Sequence, residues 1–132
     1  MMMSKTRFAL LLLGPLAVFG CSSEEPTFDV KGAVTYQSQP VAEGLVQFND
    51  ETTGRGAEVA LQADGTYQSA LPAGTYKVLI SPPYIVDNSS GIPDPKFKPV
   101  KNIPARYRST ATSGFVAEVS AAKTTHDFAL AP

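Results

Sequence analysis

The side chains that could carry chemistry are few in this chain. Cys21 is the only cysteine and His126 the only histidine among 132 residues. A lone thiol cannot close an intramolecular disulfide, and an exposed one is a liability in an oxidising compartment. A histidine-based nucleophile needs a base beside it and usually a third group to orient that base. His126 has Asp127 next to it, but adjacent residues on a strand point to opposite faces, so this aspartate is badly placed for the task. Zinc asks for three or four Cys, His or carboxylate ligands at suitable spacings, and no such set is present. Calcium accepts scattered oxygens, and Asp87, Asn88 and Asp94 share one stretch, though without the dense acidic loop of an EF-hand. Glu24-Glu25 and Asp50-Glu51 read as solvated charge in a tether and a turn. The expectation is a non-enzymatic chain with no metal and no cofactor.

A second group of residues points to binding. Lys96, Lys98, Lys101, Arg106 and Arg108, with Tyr107 among them, gather in the segment 82–113 against Asp94. They concentrate positive charge in an otherwise acidic protein. An anionic partner is expected there: a lipid head group, an acidic polysaccharide or an acidic patch on an envelope protein, drawn more weakly as salt rises. Two other readings stay open. The segment is a solvated cover over a sheet edge, or the chain is a hydrolase or carbohydrate-active protein with its site in this loop.

The residues before Cys21 supply a reason for its solitude. Lys5 and Arg7 form a positive n-region, and Phe8 to Phe19 is apolar apart from Gly14 and Pro15. That run is shorter than the roughly 20 apolar residues that span a bilayer, and it fits the h-region of a secretory signal. Val18-Phe19-Gly20-Cys21 resembles the lipobox of bacterial lipoproteins, although Phe19 is larger than usual. The resemblance implies that the cysteine sulfur receives diacylglycerol and that cleavage makes Cys21 the new N-terminus. Residues 1–20 are then a signal peptide, 21–27 a lipidated tether and 28–132 a single domain, attached to a membrane without crossing it. Ser22 and Ser23 stand where an aspartate would resemble an inner-membrane retention signal, so the expected place is the outer membrane of the cell envelope.

The elements that must position these residues are strands. Removing Lys5 and Arg7 from the eleven basic residues leaves nine against twelve acidic ones, which gives no support to nucleic-acid binding through bulk charge. Ten Gly and eleven Pro are the composition of short strands and many turns. Period-two alternation marks strands over 28–36, 44–48, 57–62, 66–71, 75–80, 114–119 and 123–130. Pro40 marks a connection, and Asp64-Gly65 is a tight-turn pair expected to fold the fourth strand back on the third. Gly32 inside a strand implies a bulge or a close approach of neighbouring backbone. Ser81 to Ser113, with six prolines, reads as one long loop with at most a single helical turn at Pro104 to Arg108. The core is expected at Val30, Val34, Val46, Phe48, Val59, Leu61, Tyr67, Tyr76, Val78, Ile80, Phe115, Val119 and Phe128. An all-β antiparallel sandwich of seven strands follows, because one sheet alone leaves its apolar face uncovered.

Val30-Lys31-Gly32-Ala33-Val34-Thr35-Tyr36, Pro40-Val41 and Glu43 to Phe48, followed by Asp64-Gly65-Thr66-Tyr67 and Leu71-Pro72-Ala73-Gly74-Thr75-Tyr76-Lys77-Val78, resemble carboxypeptidase regulatory-like domains. This resemblance covers about Val30 to Ile80. It implies a transthyretin-like sandwich and a non-catalytic accessory or binding role. Transthyretin-like sandwiches also include hydroxyisourate hydrolases, with a C-terminal tyrosine-arginine-glycine-serine signature. Tyr107-Arg108-Ser109 is only faintly similar to it, lies well before the C-terminus, and lacks the accompanying histidines.

Overall fold

Alternating burial begins in the first strand, where Val30 and Val34 are fully buried while Asp29 and Lys31 face solvent. The computed structural model describes residue 14 and residues 25–132; the signal-like segment and Cys21 lie outside the described residues. In chain order the strands are β1 (Thr27–Tyr36), β2 (Gln39–Pro40), β3 (Leu45–Asn49), β4 (Gly56–Ala60), β5 (Thr66–Pro72), β6 (Gly74–Ser81), β7 (Tyr84–Asp87), β8 (Asp94–Phe97), β9 (Phe115–Val119) and β10 (Phe128–Leu130). A 3-10 turn (Ala105–Arg108) and a four-residue helix, α1 (Thr110–Ser113), lie between β8 and β9. The protein is all-β in its architecture.

Two sheets face each other. In the first, β1 pairs antiparallel with β5 over Thr27 to Ala33, then parallel with β10 and antiparallel with β2 over its last residues. The second has the order β4-β3-β6-β9 and is antiparallel throughout. Aromatic side chains from both sheets fill the space between. Phe48 of β3 lies 5.7 Å from the Tyr67 ring of β5 and 6.4 Å from Phe128 of β10, and Phe115 of β9 lies 5.0 Å from Phe128. Such rings bury roughly 150–250 Å² each, so this cluster dominates the hydrophobic stabilisation. The chain crosses from the first sheet to the second at Pro72-Ala73-Gly74. There the Tyr76 hydroxyl donates to the Pro72 carbonyl at 2.8 Å and fixes the bend, as in the tyrosine corners of other sandwiches.

Gly32 has the close backbone approach expected of it: a Cβ there would overlap the His126 carbonyl. His126 N–H donates to Lys31 O, and the Tyr67 hydroxyl donates to His126 O at 2.5 Å, so the segment before β10 is stitched across β1 at this glycine.

Several expectations are corrected. The strands number ten among the described residues, and β1 with β10 is a parallel pair. Asp64-Gly65 does make a tight turn, with Gly65 at φ +80° and Asp64 Oδ1 accepting from Thr66 N–H and hydroxyl. The strand after it nevertheless pairs with β1 instead of β4. The turn dictates the bend, whereas the partner is set by Tyr67 and Leu71, which must be buried between the sheets. Pro40 lies in the two-residue edge strand β2, where its missing donor costs nothing to a central ladder. His126 sits just before a shorter terminal strand than the one expected over 123–130.

Candidate functional site

The segment 82–113 is ordered by its own hydrogen bonds, which corrects the reading of a long loop without secondary structure. β7 and β8 form a hairpin joined by Asn88 to Pro93, and this two-stranded sheet pairs with neither main sheet. Its base is tied down. Pro82 is fully buried, Lys98 N–H donates to Pro83 O at 2.8 Å, and the Lys98 ammonium meets both carboxylate oxygens of Glu43 at 2.8 Å.

Side chains alternate across the hairpin, so Tyr84, Val86, Pro95 and Phe97 share one face and Ile85, Asp87, Asp94 and Lys96 the other. The first face is wholly apolar, with Tyr84 stacked on Phe97 at 4.7 Å. It is also open: Tyr84 is 52% exposed, Val86 57%, Phe97 43%, and Ile92 near the tip 73%. A large exposed apolar patch is more informative than a scattered exposed residue, since soluble domains normally keep such patches small. On the other face Lys96 lies 3.7 Å from Asp87 and 3.4 Å from Asp94. Hydrogen bonds from Ser89, chiefly from its side chain, hold Asp87 below its ordinary carboxylate range, and Lys96 adds to this.

The remaining basic residues are engaged separately. Arg106 lies over the Tyr107 ring at 4.7 Å and donates to the Tyr107 hydroxyl at 2.6 Å and to Ala131 O at 2.8 Å. Tyr107 is buried, stacked on Phe115 at 5.2 Å, and its phenol is held below the usual tyrosine range chiefly by the Arg106 hydrogen bond. Arg108 donates through Nε and Nη2 to Ile103 O, closing the turn above a buried isoleucine. The buried Ser113 hydroxyl donates to Val78 O and fastens α1 to β6. Lys101 is exposed and makes no ion pair among the described residues. Lys96 is thus paired with Asp87 and Asp94 and Lys98 with Glu43, whereas Lys101, Arg106 and Arg108 form no ion pair with an Asp or Glu side chain among the described residues.

No family model matches the chain, and no curated protein does. Among solved structures it is similar to a DUF3823 family protein from Parabacteroides merdae ATCC 43184, at 19% identity and a TM-score of 0.44, over 82% of this chain and 45% of that one. The chain thus spans less than half the length of the protein it matches. The two-sheet architecture rests on the strand pairing and aromatic packing described above.

The Asp127 carboxylate accepts from Ala33 N–H at 2.8 Å, and His126 Nε2 is buried without a hydrogen-bond partner. Beside it a shallow depression of about 330 Å³ is lined by Lys31, Gly32, Gln62, Thr66, Tyr67, Gln68 and Thr125. The Tyr67 phenol there is pushed up, first by burial and then by the Asp127 charge, so it stays protonated and acts as a fixed donor. Among the described residues no group of three His, Cys, Asp or Glu side chains is arranged to hold a metal ion, Asp87 and Asp94 included. No helix among them is long and apolar enough to cross a membrane.

Proposed function

We propose that this protein is a lipid-anchored lipoprotein of the cell envelope, held in the outer membrane through Cys21, whose β-sandwich is a non-catalytic binding module. The observation that carries the binding role is the exposed apolar face of Tyr84, Val86, Pro95 and Phe97, on a hairpin that pairs with neither main sheet and is fixed at its base. A domain that needs only to be soluble gains nothing by displaying such a face, whereas a contact surface requires one. The motifs of Val30 to Phe48 and Asp64 to Val78, with the Tyr76 corner, support a transthyretin-like sandwich of the carboxypeptidase regulatory-like kind.

The partner meets the hairpin mainly through apolar contact. Lys96 and Lys98 already have acidic neighbours, which leaves Lys101 as the basic residue of the segment most available to an anionic polysaccharide, lipid head group or envelope protein.

A photoreactive residue placed at Phe97, with a second placed at the exposed Val116 of β9 as control, tests this in intact cells. Adducts specific to position 97 are expected. They should persist at about 1 M salt, where the screening length falls to about 3 Å and charge attraction is lost. Equal adducts at the two positions, or adducts at 97 that vanish in salt, would overturn the apolar reading.

A further inference from the structure

The hairpin has two outer edges, and they differ. In an antiparallel ladder, opposed residues alternate between pairs that exchange backbone hydrogen bonds and pairs whose N–H and C=O groups point away from each other. The Lys98 bond to Pro83 O fixes the phase. Ile85 with Lys96 and Asp87 with Asp94 are bonded pairs, so the main-chain groups of Tyr84 and Val86 point outward along β7, and those of Pro95 and Phe97 outward along β8. Pro95 has no N–H, which agrees with this phase and also blunts the β8 edge. Along β7, Tyr84 and Val86 each present a donor and an acceptor. Among the described residues β7 pairs only with β8.

We infer that the β7 edge is a self-association site, pairing antiparallel with β7 of a second copy about a two-fold axis. A second copy of β7 fits this edge in one register. Outward-pointing residues must stand opposite one another, and with Tyr84 opposite Val86 of the second copy both are satisfied on each chain. Ile85 then meets Ile85 of the second copy on the axis, and Asp87 falls opposite Pro83 of the second copy, so the two carboxylates are kept apart. Placing Tyr84 opposite Tyr84 instead sets Val86 against the buried Pro82, which lacks an N–H. Placing Val86 opposite Val86 sets Tyr84 against Asn88, beyond the strand end. An isolated two-stranded ribbon is marginal in water, and joining two of them makes a four-stranded sheet. The symmetry puts both apolar faces on the same side, so Tyr84 and Phe97 of one copy continue into Val86 and Pro95 of the other. This assignment rests on the hairpin being a contact element, and it doubles the face offered to a partner. The paired stretch is short, so association depends on the raised effective concentration of chains held on one membrane.

The test is cysteine cross-linking of the full-length chain in its native envelope with a mild thiol oxidant such as diamide. Opposed residues of a non-bonded antiparallel pair have Cα atoms about 4.5 Å apart, inside the range of roughly 4.4–6.8 Å that a disulfide accepts. Ile85→Cys is expected to give a covalent dimer, and Val86→Cys, which would face Tyr84 of the second copy, is expected to give none. The unsubstituted chain reports any background from Cys21. Adding Val86→Pro to Ile85→Cys should abolish the dimer, because it removes an outward N–H at a position opposite Pro95 where the hairpin ladder uses none. Equal cross-linking at 85, 86 and a Val116→Cys control, no cross-link in a folded Ile85→Cys chain, or an Ile85→Cys adduct only with a different protein would each overturn self-association. The two readings fail separately. Specific adducts at position 97 without an Ile85→Cys dimer leave the contact face standing, and an Ile85→Cys dimer without those adducts leaves only the pairing.

Discussion

Tyr67 joins three features of the fold in one side chain. Its ring packs against Phe48 of the opposite sheet and stacks on Phe128, and its hydroxyl holds the His126 carbonyl over Gly32. Gly32 was legible as a backbone close approach because a glycine inside an alternating strand has few other uses, but the residue that approaches it lies far along the chain and left no local signal. Burial raises the Tyr67 phenol above the ordinary tyrosine value. The sign follows: the unfolded chain ionises first, at about pH 10, so the stability contributed by the neutral buried phenol is complete below that pH and is lost as pH rises toward the folded value. Tyr67→Phe should cost about 0.5–1.5 kcal/mol near neutrality, from the lost hydrogen bond. The gap in melting temperature between variant and parent should narrow as pH passes about 10, where only the parent bears the cost of keeping this phenol neutral. Thermal denaturation across that range checks it, and a gap independent of pH would contradict it. Tyr76, also raised by burial, adds to alkaline loss in both proteins, and Tyr107, lowered by Arg106, opposes it.

At the scale of elements, legibility followed burial. β1, β3, β5, β6 and β9 hide one face and expose the other, so their sequences alternate and were found within one or two residues of their ends. β7 and β8 do not follow this rule. Both strands are open to solvent on both faces apart from the half-buried Asp87, and Pro95 interrupts the pattern, so nothing in Tyr84 to Phe97 separated a hairpin from a loop. Val41 was missed as core for a related reason: it is a single buried side chain just past the two-residue β2, where no period exists to reveal it. The basic cluster was visible as composition, but the pairing of Lys98 with the distant Glu43 required the tertiary fold. The hairpin should behave as a unit with its own local stability. Lys98→Ala removes an exposed ion pair worth about 0–1 kcal/mol to the whole protein. Amide hydrogen exchange is expected to quicken in 83–98 and to stay unchanged in β3 and β6. Equal acceleration in the central strands would mean that the hairpin is part of the global cooperative unit.

At the scale of the whole molecule, a sandwich that packs its aromatics inward carries a ribbon that displays apolar residues outward, and the proposed tether fixes both at a membrane. The sandwich was readable from alternation and turn residues, although which strands shared a sheet was not, since the Asp64-Gly65 turn carries the chain across the core to β1. The proposed function depends most on the proposed tether, which was read from Lys5, Arg7, the apolar run to Phe19, and Gly20-Cys21. An unlipidated domain would meet a second copy or a membrane partner only at its bulk concentration, whereas acyl chains contribute roughly 0.8 kcal/mol per buried methylene and hold it there. The measurement that bears most directly on this is mass spectrometry of the N-terminal peptide of the protein extracted from envelopes with detergent. That peptide is expected to begin at Cys21 with diacylglycerol on its sulfur, and a free Cys21 thiol in a peptide running back through Gly20 and Phe19 would contradict the lipid anchor.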